Sequence, residues 1–449
     1  MPVDALSCLQ GLEFLESIDM QQGNCSAAHL EHLPQLPALR HIGLYHAVEI
    51  DDDAVELLSQ HESITVLHLH GARLTNHGLA ALTRMRQLVG VWLNDTQVDD
   101  SGLPILAELP NLRMLDLSRT KVSADGVRSL HQRLPVCHIS SVFDAEELAL
   151  PEPPSGPELI QNPVLRSLVA ASDEWEWTVL QPLGNGINSP GDEGQPCLSA
   201  DGLTLWWQGT NAADGSWDLY ESKRESTAEE FASPMVLPPP INSPEVEVSP
   251  SLTVDGRDLF FVSNRRGGRG ELDIWSARRN SIDAPFGEPA NLGLTINTSA
   301  MELSPCISGD GLLLLYSRQG IARRMRTDLY EARRNSRDEP FGRGVPLGRL
   351  VNSNGSESVS WLSSDGLTLV VRSDRDTGNG QDRLYLTTRA SRDVPFHPPL
   401  PLIAPINAGD WTGGFTTSAD FSTVVIASRR PGGVGGRDLW ITRRVRKSE

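Results

Sequence analysis

Residues 241–292 read INSPEVEVSPSLTVDGRDLFFVSNRRGGRGELDIWSARRNSIDAPFGEPANL, and this stretch predicts four short strands. Val248 to Thr253 alternates apolar and polar residues, and Val254-Asp255-Gly256-Arg257 is a turn. Leu259 to Ser263 is a second strand, and Arg266 to Gly270 a glycine-rich loop. Asp273 to Ala277 is a third strand and Phe286 to Leu292 a fourth. Four short antiparallel strands in about 50 residues make one blade of a β-propeller.

The unit recurs five times. The turn aspartate stands at Asp201, Asp255, Asp310, Asp365 and Asp420, at spacings of 54, 55, 55 and 55. An Ile-Asn or Val-Asn pair opens each copy, at Ile187, Ile241, Ile296, Val351 and Ile406. A period this regular means one supersecondary unit copied about an axis or along a line. Register adds closure. Phe231, Phe286, Phe341 and Phe396 fall ten residues before the next opening pair, and Leu237, Leu292, Leu347 and Leu402 four before it. Trp177 and Leu183 stand at the same offsets before Ile187, while the fifth copy ends where its outer strand is due. Trp177 to Leu183 is therefore expected to supply that strand, and a closed ring leaves no open sheet end.

The S-x-D-G turn followed by an apolar strand and a D-[IL]-[WY] triplet resembles the WD-repeat-like, TolB-type propellers. The triplets are Asp218-Leu219-Tyr220, Asp273-Ile274-Trp275, Asp328-Leu329-Tyr330 and Asp438-Leu439-Trp440; the fourth copy has Asp382-Arg383-Leu384-Tyr385, and the fifth turn has Phe421 in place of glycine. The resemblance covers residues 177–443. It implies a propeller, of five blades here although TolB-type rings usually have six, and little about activity.

The first third carries a different repeat. Leu39 to Leu44, Ile64 to Leu69, Leu88 to Leu93 and Leu112 to Leu117 each read as L-x-x-L-x-L, at 24 or 25 residues, with degenerate copies at Leu12 to Ile18 and Leu134 to Ile139. Helical spacing lies between them, as in Thr75 to Leu82. Leu115 to Val122 followed by Asp125-Gly126-Val127 resembles the bacterial type of leucine-rich repeat over residues 10–140. The expected fold class is thus multidomain: an α/β leucine-rich repeat solenoid over 1–143, an acidic Pro-rich linker over 144–176, and an all-β five-bladed propeller over 177–449 closed by an N-terminal outer strand. Val164 to Ala171 is expected to form a short helix in the linker.

Composition bounds function. The net charge is −19, divided as −8 over 1–143, −7 over 144–176 and −4 beyond, so no basic face invites nucleic acid. No apolar run approaches membrane-span length and the first residues lack a signal-peptide pattern, so the chain as written reads as cytoplasmic. A periplasmic location is open if the N-terminus is incomplete. Cysteines 8, 25, 137, 197 and 306 form no C-x-x-C, which argues against a disulfide framework or zinc site. Cys197 and Cys306 share one repeat position and are expected to be small core residues.

Two sets of residues are candidate binding positions. Outward-facing positions of the first repeat give rows containing Tyr45, His68, His70, Trp92 and Asp116. They suit a small aromatic and imidazole patch for a protein partner, or are ordinary surface positions; no third ligand accompanies His68 and His70 to make a metal site. In the second repeat, Glu193, Glu247, Glu302 and Glu357 begin each inner strand, and the fifth copy has Thr412. They suit a cation, ligand or glycosidase site at the channel mouth. The competing reading is structural: Arg265, Arg318, Arg375 and Arg429 recur at the ends of the second strands. Glu247 can pair with Arg265, Glu302 with Arg318, and Glu193 with Arg429 across the ring closure. Catalytic pairs need two carboxylates in unlike environments, whereas these repeat.

No Walker loop, G-x-S-x-G, H-E-x-x-H or kinase signature is present, and no cofactor or catalytic residue is indicated. The leading expectation is a non-enzymatic scaffold binding proteins through its two repeat modules. A carbohydrate-binding or carbohydrate-cleaving propeller is the alternative, kept open by loop aromatics such as Trp217 and Trp411. A third is the sensory part of a longer signalling polypeptide.

Overall fold

The computed structural model describes residues 3–447 apart from 14, 16, 22–24, 47, 135–136, 144–155, 185, 211–214, 320–325, 349 and 377–380. The chain forms two compact units, Met1–Glu152 and Pro153–Glu449.

The first unit is a parallel sheet of six strands in sequence order, Ser17–Gln21, His41–Tyr45, Val66–His68, Gly90–Trp92, Met114–Asp116 and His138–Ser140. Ile42, Leu67, Val91, Leu115 and Ile139 pair in one continuous register. They and the leucines flanking them form the unit's core. No copy can bury its own apolar edge, so each depends on its neighbours. The connections are short helices with side-chain caps. Asp51 accepts from the Ala54 amide, Thr75 from His77 and Ser123 from Gly126.

The expected α/β solenoid class needs correction. Among the described residues, only Ala124–Arg133 exceeds two turns; the other α-helices have four to seven residues. Pro34, Pro37 and Pro110 lie in the connections, where their missing amides and fixed φ cannot extend a helix. With the second unit added, the chain is nearly all β.

The second unit holds five antiparallel blades, four of four strands and a fifth of five. The inner strands are Glu193–Leu198, Glu247–Leu252, Glu302–Ile307, Glu357–Leu362 and Trp411–Thr417. Trp175–Trp177 and Gln181–Pro182 both pair with the last strand, Asp438–Arg446, and complete the fifth blade.

The asparagine of each opening pair reveals how blades are joined. Asn242 accepts from the Leu219 amide and donates to the Leu219 carbonyl, both at 3.0 Å, so one side chain acts as a strand edge on the preceding blade. Asn297 does the same to Ile274, Asn352 to Leu329 and Asn407 to Leu384. Asn188 clasps Leu439 across 251 residues of sequence and so locks the ring. The turn aspartates act locally. Asp310 accepts from Ser308 Oγ and the Leu312 amide, and Gly311 takes φ +75°. In the fifth blade Phe421 takes φ +55° without glycine's freedom, while its ring packs edge-on to Trp361.

The expected linker is also corrected. Residues 144–155 lie outside the described residues. Beyond them, Ile160, Leu165 and Leu168 are buried among Val370, Leu384, Leu402 and Val424 of the propeller. A helix does form, shorter than expected, at Pro163–Arg166, capped by Asn162 Oδ1. These apolar side chains have a blade surface to cover, which outweighs the proline and acidic content around them. No described helix is long and apolar enough to cross a membrane.

Candidate functional site at the glutamate end of the propeller

The four glutamates begin the inner strands and are almost wholly buried, at 0–2% exposure. Each takes a hydroxyl from four residues earlier: Ser189, Ser243, Thr298 and Ser353. Glu247 receives Arg265 at 2.9 Å, Glu302 receives Arg318 at 2.8 Å, and Glu357 has Arg375 at 3.5 Å. Each arginine also lies over an aromatic ring, as Arg318 does over Tyr330 at 4.4 Å. Buried carboxylates paired in this way tie the strands of a blade together, although Glu357 Oε2 has no hydrogen-bond partner among the described residues.

Burial raises the Glu302 carboxyl against the pull of Arg318. Arg318 is itself held above its usual range by Tyr316 and Glu302, against the effect of its own burial. The two shifts point opposite ways for an ion pair. Three donors converge on the carboxylate, from the Thr298 amide, Thr298 Oγ1 and Arg318 Nε, and this geometry identifies it as ionised.

Blade one differs. Its second strand ends in Thr210 where others lead to arginine, and the expected Glu193–Arg429 pair does not form. Arg429 faces Trp411 in the ladder and is exposed. Arg430 instead takes the position of Arg265, donating to the Pro405 and Ile406 carbonyls and lying over Trp440. Glu193 keeps Ser189 Oγ at 2.5 Å, and its Oε2 has no hydrogen-bond partner among the described residues. Burial, aided by nearby Asp438 and Asp192, lifts this carboxyl to about 7.

Around these buried groups the same end carries a second ring, at two repeat positions whose residue type changes from blade to blade. The residue before each inner-strand glutamate position is Asp192, Val246, Met301, Ser356 or Trp411. The residue that opens or immediately precedes each third strand is Trp217, Leu272, Thr327, Asp382 or Arg437. Each third-strand opening lies beside the next blade's inner strand. Thr327 reaches Ser356 at 2.9 Å, Trp411 Nε1 donates to Asp382 at 3.0 Å, and Arg437 meets Asp192 at 3.3 Å. Arg437 lies between two indoles, 5.6 Å from the Trp217 ring and 5.4 Å from the Trp411 ring. Arg372 lies on Trp411 at 6.0 Å and near Asp382 at 3.6 Å. These side chains are half-buried, with surface left at the propeller's end. Two indole planes, two guanidinium groups and two carboxylates thus converge at blades four, five and one. Sequence reasoning had Trp217 and Trp411 only as loop aromatics; both begin strands.

The candidate residues of the first unit come together on one sheet face. His68 stacks on Trp92 with centroids 4.0 Å apart, and Tyr45 tilts against His68 at 5.2 Å. His70 meets His46 edge-on and lies 3.5 Å from Asp95. Asp116 caps the Ser118 amide at 2.8 Å. The described residues hold no cluster of three or more metal-ligating side chains.

No protein-family profile and no characterised protein sequence matches this chain. The resemblances to leucine-rich repeats and to TolB-type propellers therefore do not stand as family assignments. The similar solved structures include glycoside hydrolases. The α-L-arabinofuranosidase PaAbf62A of Podospora anserina, solved with cellotriose, is 11% identical with a TM-score of 0.41, covering 61% of this chain and 98% of its own. A family 117 glycoside hydrolase of Zobellia galactanivorans is 13% identical at 0.38, covering 60% and 90%. The endo-arabinase of Bacteroides thetaiotaomicron is 17% identical at 0.39, covering 59% and 97%. The expected protein-binding scaffold finds no counterpart among these neighbours, whose names are those of carbohydrate enzymes.

Proposed function

We propose that the propeller is a carbohydrate-directed module that binds an oligosaccharide at its glutamate end, over Trp217, Trp411, Arg437, Asp192, Asp382 and Arg372. The supporting observation is Arg437 held between two indoles with a carboxylate beside it. Indole surface that Arg437 and Arg372 leave uncovered offers flat apolar area for the C–H faces of a pyranose or furanose ring, on a rigid side chain that loses little entropy on binding. Carboxylate and guanidinium groups give charge-assisted hydrogen bonds to hydroxyls, with directions that select one sugar over another. A glycan array tests this. Saturable binding of one oligosaccharide class, lost in Trp411→Ala with the fold intact, is the expected result; no binding across the array contradicts it.

Cleavage of the bound glycan is the second reading, and Glu193 favours it. A general acid needs a carboxyl that stays protonated near neutrality, and burial gives Glu193 a value of about 7. It directly follows Asp192, which belongs to the variable ring. Release of reducing ends from the array's best binder, with an alkaline limb near pH 7 that Glu193→Gln abolishes, would establish cleavage. Binding without product release leaves the module as a lectin.

A further inference from the structure

The channel's other end holds a separate cavity. Halfway along, Gln195 Nε2 donates to Ser304 Oγ at 2.9 Å and Ser358 Oγ donates to the same oxygen at 3.0 Å, so side chains from blades one, three and four meet across the axis. The void at this level is about 10 Å³, less than one water needs in comfort. Beyond it, where the inner strands end, the space opens to about 270 Å³.

The wall of this cavity is mixed, with apolar surface the larger share and hydroxyls such as Thr204, Ser360 and Ser364 among the lining residues. One position per blade forms its belt: Cys197, Ser251, Cys306, Trp361 and Thr416. The oxygens of the two belt hydroxyls accept backbone amides, Ser251 Oγ from Ile307 at 3.0 Å and Thr416 Oγ1 from Leu198 at 2.9 Å. The thiols were expected to be core residues; each instead keeps part of its surface and lines the cavity. Both are neutral, since burial pushes Cys197 up to about 11 and Cys306 higher still. Trp206 and Trp361 supply flat walls, and Val254 and Ile282, 56% and 52% exposed, stand at the rim. Asp201 is the one charged residue among those lining the space, and its Oδ1 is occupied by Ser199 and the Leu203 amide.

We infer that this cavity is a binding site for a small, neutral, planar aromatic molecule of one or two fused rings. The volume sets the size, because an apolar cavity of about 150 Å³ already holds benzene. Flat indole walls from Trp206 and Trp361 and neutral thiols favour a neutral planar ligand over an anion, which would lose its hydration beside Asp201 without finding a cationic partner.

Isothermal titration with indole tests the site. Ala419→Trp narrows the rim at an exposed position, and Cys306→Phe fills the interior. Saturable indole binding in the parent, weakened at least about tenfold in both variants and unchanged in Trp411→Ala at the opposite end, is the expected outcome. Absence of saturable binding at millimolar indole, or equal affinity in a folded Ala419→Trp, overturns the inference. Sugar binding retained by Ala419→Trp would show that the two ends fail or succeed independently.

Discussion

Blade one and blade three place the same residue at the same position and treat it oppositely. Glu302 is met by Arg318 and Thr298, whereas Glu193 has Ser189 and a second oxygen without a hydrogen-bond partner among the described residues. The contrast separates two uses of one repeat. Where glutamate and arginine recur together they are mortar between strands. Burial raises both carboxyls, but where the arginine drops out nothing of its kind opposes the shift, and this happens beside the ring of residues that vary between blades. Regularity marks architecture in this molecule, and departures from it mark the candidate site.

Substitutions can break that comparison. Glu302→Gln leaves a buried guanidinium without its counter-charge and is expected to cost about 3 kcal/mol, read by denaturant unfolding. Glu193→Gln should do the reverse. Its folded value of about 7 lies above the ordinary 4.5, so the native state holds the proton more tightly than the unfolded chain. The stability this proton contributes is fully present below about pH 4.5 and is lost as pH rises to about 7. At about 1.4 kcal/mol per unit, the parent should lose roughly 3 kcal/mol over that range through this group, and Glu193→Gln should not. Unfolding curves at pH 5 and pH 8 decide it; equal pH dependence in parent and variant would equate the two blades after all.

Trp411→Ala is expected to weaken oligosaccharide binding by about tenfold or more, some 1.4 kcal/mol, while its half-buried ring costs the fold about as much. Blade five offers the finest test. It lacks both the glutamate (Thr412) and the hydroxyl four residues earlier (Ala408), and burial lowers Arg430, which has no carboxylate partner among the described residues. Restoring both in Ala408→Ser/Thr412→Glu should give a favourable coupling of about 1 kcal/mol over the two single changes in a double-mutant cycle. No coupling would mean that the carboxylate position is not interchangeable between blades.

How far the sequence carries this account follows from the same contrast. The 55-residue period exposed the blade boundaries because each opening asparagine and each turn aspartate satisfies backbone groups that every blade must satisfy. The offsets of Trp177 and Leu183 pointed to the outer strand that closes the ring. The arginine of blade five was misplaced by one residue, and in a strand one residue reverses the side-chain direction: Arg429 faces Trp411, while Arg430 turns to the blade. Arg437, Asp192, Asp382 and Arg372 were not legible, because no motif marks residues that differ in every copy. The one signal available was that variation itself. Ile160, Leu165 and Leu168 were hidden for another reason: a proline-rich acidic stretch looks like a linker until the surface it covers is known.

The central claim is that the repeated glutamates hold the propeller together and the variable ring binds its ligand. Calorimetric titration of the array's best oligosaccharide against Trp411→Ala and Glu302→Gln, both under conditions where each is folded, tests it most directly. The account predicts that Trp411→Ala loses binding and Glu302→Gln retains it. Loss of binding in Glu302→Gln with full affinity in Trp411→Ala would contradict it.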